Sequence, residues 1–131
     1  MNALTKALLV SWFSLALSGC QQFSVQSQLE KYAEQQREDK KIPRKITNTL
    51  TLIDIQTGDK ELIQIFTIKG PKGKIHKKIE NLESDILTEL KKNKSQIKQL
   101  SDYKIMMTFK YLHDPSNEVL HVFQVKPWSD L

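Results

Sequence analysis

The chain has 131 residues, of which 39% are hydrophobic and 27% charged, with a formal net charge of +5 at pH 7. This balance excludes a disordered polyelectrolyte, and a single cysteine excludes an internal disulfide. The modest positive charge fits either solubility or contact with an anionic surface, and without arginine–aromatic interleaving it does not point to nucleic acid.

The first predicted element is an export signal. A free amino terminus and Lys6 precede Ala7–Leu17, an almost wholly apolar run of 11 residues with no acid before it. A spanning helix needs roughly 20 such residues, so the run is too short to be one. It ends in Leu17-Ser18-Gly19-Cys20, where small residues meet the only cysteine of the chain. This tetrapeptide resembles the lipobox of bacterial lipoproteins. The resemblance implies cleavage between Gly19 and Cys20, a diacylglycerol on the Cys20 sulfur, and acylation of the new amino terminus. One acyl chain holds only weakly, whereas two or three make a durable anchor. Gln21 stands where an Asp would resemble the inner-membrane retention signal. The implied location is therefore the outer membrane, facing the periplasm.

The expected division is a signal peptide over 1–19, a lipidated tether over 20–43 and one small domain over 44–131. Within the tether, Val25, Leu29, Tyr32 and Ala33 recur at i, i+4, i+7 and i+8, one face of a short helix. Two readings are open: the helix lifts the domain off the lipid, or it lies on the domain. Pro43 closes the segment, because a residue before proline is pushed out of helical conformation.

From Ile46 to Lys69 the pattern turns to β. Thr47–Ile55 and Leu62–Ile68 are rich in β-branched residues, and Gln56–Lys60 supplies the turn of a hairpin. Leu50 and Leu52 share one phase, Ile53 and Ile55 the other, so either a bulge shifts the register or both faces are covered. After Gly70–Gly73, a helical stripe runs through Ile75, Ile79, Leu82, Ile86, Leu90, Ile97 and Leu100, with a bend expected near Asn93. Ile105, Met107, Phe109 and Tyr111 then alternate with Met106, Thr108, Lys110 and Leu112, His113–Asn117 form a turn, and Val119–Val125 close the domain before Pro127. The order predicts an α+β fold in which a four-stranded antiparallel sheet (ββαββ) packs on one long helix. This order resembles uncharacterised small exported bacterial domains, without the cysteine pair that many of them carry.

Chemistry is sparse. His76, His113 and His121 show no metal-binding helix spacing, and His113 with Asp114 and Glu118 is the only cluster suited to acid–base work. No serine stands in a G-x-S-x-G elbow. Gly70-Pro71-Lys72-Gly73-Lys74 is too short for a phosphate loop, and Ile75 stands where a Ser or Thr would meet magnesium. No catalytic residue, metal or cofactor is assigned. Residues 69–98 hold nine lysines against four acids. Lys72, Lys74, Lys77, Lys78, Lys91, Lys92 and Lys94 form a candidate basic surface toward lipid headgroups, an envelope polymer or an acidic partner.

Apolar residues on both phases of the last two strands put Met106, Leu112, Leu120 and Val122 on a second sheet face. That face calls for a cover: residues 22–40, a second copy or a foreign partner. The leading expectation is a non-enzymatic lipoprotein, an accessory or interaction module of the envelope with an unidentified protein partner or self-association. The alternatives are an exclusion or immunity lipoprotein, an inhibitor of an envelope enzyme, and a small envelope hydrolase.

Overall fold

A computed structural model describes residues 25–95 and 97–131. The elements are α1 (Val25–Asp39), β1 (Arg44–Lys45), β2 (Leu50–Gly58), β3 (Glu61–Lys69), α2 (Lys72–Lys92), α3 (Lys98–Asp102), β4 (Met106–Asp114) and β5 (Val119–Val125). They build an α+β fold around a five-stranded sheet in the order β1-β2-β3-β4-β5.

The sheet is mixed, and the expected all-antiparallel arrangement of four strands does not hold. β2 and β3 are an antiparallel hairpin, as are β4 and β5, but the central β3–β4 pair is parallel from Glu61–Met106 to Lys69–Asp114. The cause is length. A nine-residue strand covers about 30 Å, and the 21 residues of α2 rise about 31 Å. The helix thus carries the chain back along the whole of β3, and β4 has to start beside the start of β3. Parallel neighbours require a crossover of this kind. The fifth strand, missed in the sequence, is two exposed basic residues paired to Thr51 and Leu52. Charge on so short an edge discourages further strand addition.

A bulge resolves the faulty alternation of β2. The register shifts between Leu52 and Asp54, so Leu50, Leu52 and Ile55 pair with Ile68, Phe66 and Gln64, all on one phase of β3. Leu62, Phe66 and Ile68 are at most 1% exposed on that face. Met107, Phe109 and Tyr111 continue it on β4, and Phe123 stacks on Phe109 with ring centroids 5.9 Å apart. Ile75, Ile79, Ile86 and Leu90 of α2 bury against these residues, and α2 ends at Lys92 beside the expected break at Asn93.

Helix α1 lies on the domain. Leu29 (0% exposed), Tyr32 and Ala33 join the same core cluster as α2 and the sheet. Gln26 fixes its first turn, donating to the Gly58 carbonyl at 2.8 Å and accepting from the Lys60 amide at 2.9 Å. Near the other end, Arg37 donates to the Ile55 carbonyl at 2.9 Å. Because every described helix sends its buried apolar side chains into this one core, residues 25–39 do not cover the second sheet face. Among the described residues that face carries Ile63, Ile65, Thr67, Met106, Thr108, Leu112 and Val122 without a covering helix. One expected position also differs. A register shift between Tyr111 and Leu112 turns Leu120 toward the core and puts Val119 opposite Leu112, out of phase with His121.

Candidate functional site

The His113 group is a structural clasp. His113 is the penultimate residue of β4, where one ring nitrogen lies 3.1 Å from the Gly70 carbonyl and the other 3.0 Å from the Ser116 hydroxyl. A carbonyl only accepts, so Nε2 carries a hydrogen and donates to Gly70. The His113 amide donates to the Glu118 carbonyl at 2.8 Å, closing the β4–β5 turn. Glu118 pairs with Lys72 at the start of α2, and this bond, more than the general attraction of that ammonium, lowers its carboxyl from the usual range. Asp114 faces Lys69 at 3.9 Å. Gly70 takes φ +138, a backbone region L side chains rarely adopt, as the chain swings from β3 into α2. The three candidate acid–base residues therefore sit together, but their side chains are directed to Ser116, Gly70, Lys72 and Lys69 rather than to one another.

A second polar group lies between α2 and the sheet. His121 Nε2 approaches Glu83 Oε1 to 2.7 Å. Tyr111 buries its hydroxyl near Glu83 without a hydrogen-bond partner, and burial, with the adjacent carboxylate, pushes the phenol up. Gln64 Oε1 is likewise buried and unpartnered. His76 is exposed on the first turns of α2. No group of three or more potential metal ligands occurs among the described residues. No described helix is long and apolar enough to cross a membrane. Cys20 and Gly19 lie outside the described residues.

The lysines of the candidate basic surface separate into two sets. Lys72, Lys74, Lys77 and Lys78 are exposed on the first half of α2, at the sheet end that holds the His113 clasp. Lys91 and Lys92 end α2 and Lys94 follows it, about 20 Å along the helix axis from Lys78. Two surface hollows accompany them. One of about 190 Å³ is lined by residues including Thr47, Leu50, Lys78 and Asp85. The other, about 450 Å³, lies between α3 and the C-terminal segment, lined by Lys94, Ser95, Lys98, Ser101, Pro127 and Trp128 among others.

Sequence reading missed Trp128 and Lys40. Trp128 follows the last strand, where no periodicity marks it, and Lys104 Nζ sits 5.5 Å from its ring centroid. Lys40 is 8% exposed, and burial, with Arg44 nearby, lowers its ammonium to about 8. Its signal lay in the stripe Leu29, Ala33, Gln36 and Lys40, which keeps helical spacing even though the last two are polar.

No known protein family matches the sequence, and no curated protein matches it. Two solved structures share the fold. One is a protein of Pseudomonas aeruginosa described as secreted, 14% identical, with a TM-score of 0.64 over 83% of this chain and 99% of that one. The other is EpsS, the pilotin of the Vibrio vulnificus type 2 secretion system, also 14% identical, with a TM-score of 0.59 over 81% of this chain and 94% of that one. The fold is thus one that a secreted protein and a secretion-system pilotin share with this chain.

Proposed function

We propose that the chain is a lipid-anchored, non-enzymatic accessory protein of the cell envelope, held through Cys20 to the outer membrane on its periplasmic side. Residues 1–19 are the cleaved signal, and a protein component of the envelope is the partner. The observation that carries this reading is the fold shared with a type 2 secretion pilotin along nearly the whole of that chain. It agrees with the lipobox-like Leu17–Cys20. The engagement of His113, Asp114 and Glu118 in turn contacts supports a binding rather than a catalytic role.

The test has two parts. Cys20→Ala abolishes incorporation of labelled fatty acid and leaves the precursor uncleaved or the protein soluble; normal processing with membrane retention would refute the anchor. Site-specific photo-crosslinkers placed in intact cells at Val122 on the sheet and at Lys77 on α2 join the protein to an envelope protein at one surface. Silence at both positions, with the anchor intact, counts against the accessory role.

A further inference from the structure

The packing of α1 leaves little chain between the lipid and the domain. From Cys20 to Val25, where the described structure starts, there are five residue steps, at most about 18 Å when fully extended. Gln26 is bonded to both sides of the β2–β3 turn. That turn is continuous with the start of β4, since the Met106 amide donates to the Lys60 carbonyl at 2.9 Å. Lys104, two residues earlier, lies over Trp128. The anchored end of α1, the β2–β3 turn, α3 and the C-terminal segment thus share one end of the sheet, opposite the His113 clasp.

We propose that this end is the face seated on the lipid leaflet, and that the 450 Å³ hollow beside Trp128 receives an anionic lipid headgroup. The inference rests on the lipid-anchor reading above. Its chemistry is that of a membrane interface. Trp128 is half-buried and Tyr103 is 40% exposed, and such rings favour the headgroup level. Lys60, Lys94 and Lys104 are exposed at the same end. Lys98 is engaged with Asp102 at 2.8 Å, whereas Lys94 has no ion-pair partner among the described residues and lines the hollow. Asp59 and Asp130 also stand at this end, and Asp102 lines the hollow itself against Lys98, so the charge is mixed and the attraction rests on Lys94.

Trp128 itself supplies the readout, because it is the only tryptophan after Cys20. The mature acylated chain is purified from cells and reconstituted into vesicles of phosphatidylcholine, with or without phosphatidylglycerol, whose acyl chains are brominated near the headgroup. Docking lowers Trp128 fluorescence roughly two-fold or more in the anionic vesicles and clearly less in the neutral ones, and Lys94→Glu removes the difference. Quenching that is absent, or equal in both vesicles, overturns the headgroup site. The mass of the amino-terminal peptide reads the anchor separately. An acylated Cys20 with unquenched Trp128 refutes docking alone, and an unacylated Cys20 refutes both.

Discussion

Tyr111 stacks on Phe66 with ring centroids 5.7 Å apart, across the parallel pair at the centre of the sheet. The contact joins the two hairpins and brings the Tyr111 hydroxyl into the core without a partner. The ring stabilises the fold through area and stacking, while the oxygen costs desolvation with nothing in return.

Tyr111→Phe therefore keeps the stack and removes the orphan. Denaturant unfolding should show a gain of about 1 kcal/mol. A loss of similar size would mean that the hydroxyl finds a partner in solution.

Phe109 is 0% exposed and faces both α2 and Phe123. Phe109→Ala should cost roughly 3 to 5 kcal/mol by transfer and cavity terms together. A loss under about 1 kcal/mol would place the ring elsewhere.

Leu29→Ala tests whether α1 belongs to the domain. With Leu29 fully buried, the expected cost is about 2 to 5 kcal/mol in the same unfolding experiment. A helix acting only as a spacer would tolerate the change.

Lys40 makes stability depend on pH in an unusual direction. Its folded ammonium titrates at about 8, below the usual 10.5, chiefly through burial. Between these values the unfolded chain binds more protons, so stability rises with pH from about 8 to about 10.5, by about 3 kcal/mol in all. Tyr32 and Tyr111 act oppositely. Burial pushes their phenols up, so above about pH 10 the unfolded chain loses protons that the folded chain keeps. Thermal melts should peak between these regimes, and Lys40→Met should flatten the rise while leaving the fall.

Lys60 adopts φ +48 in the β2–β3 turn, a conformation costly for a side chain and cheap for glycine. Lys60→Gly should stabilise by about 1 kcal/mol if its backbone bonds to Gln26 and Met106 persist. A destabilised variant would assign the lysine stem a packing role.

Much of this fold is legible in the residues themselves. Ile75, Ile79, Ile86 and Leu90 mark α2 by period alone, and the clash between Leu50–Leu52 and Ile53–Ile55 marks the bulge. Strand direction is not carried by any such pattern. Alternation in Met107, Phe109 and Tyr111 reads the same for parallel and antiparallel neighbours, and only the length of α2 bears on the choice. Burial of α1 was half visible, in Leu29, Tyr32 and Ala33, but Gln36 and Lys40 disguise the rest of the stripe. The end that gathers Lys60, Lys94, Lys104 and Trp128 has no local signature, since tertiary structure brings together four separate loops and ends.

The parallel ladder also sets the order in which the chain can fold. Each of its pairs joins positions 45 apart, as Glu61 does with Met106 (106 − 61), so the loop between them must close before any of that pairing forms. Long-range closure of this kind slows folding, because entropy is lost before contacts accrue. The β2–β3 hairpin, emerging first, has Leu62, Phe66 and Ile68 but no neighbouring strand to shield their far side. A chain threaded amino terminus first through a narrow channel could not complete its core until β4 had followed. Delayed closure would keep such a chain extensible for the whole of its passage, with β3 lacking the neighbour that β4 supplies until the end.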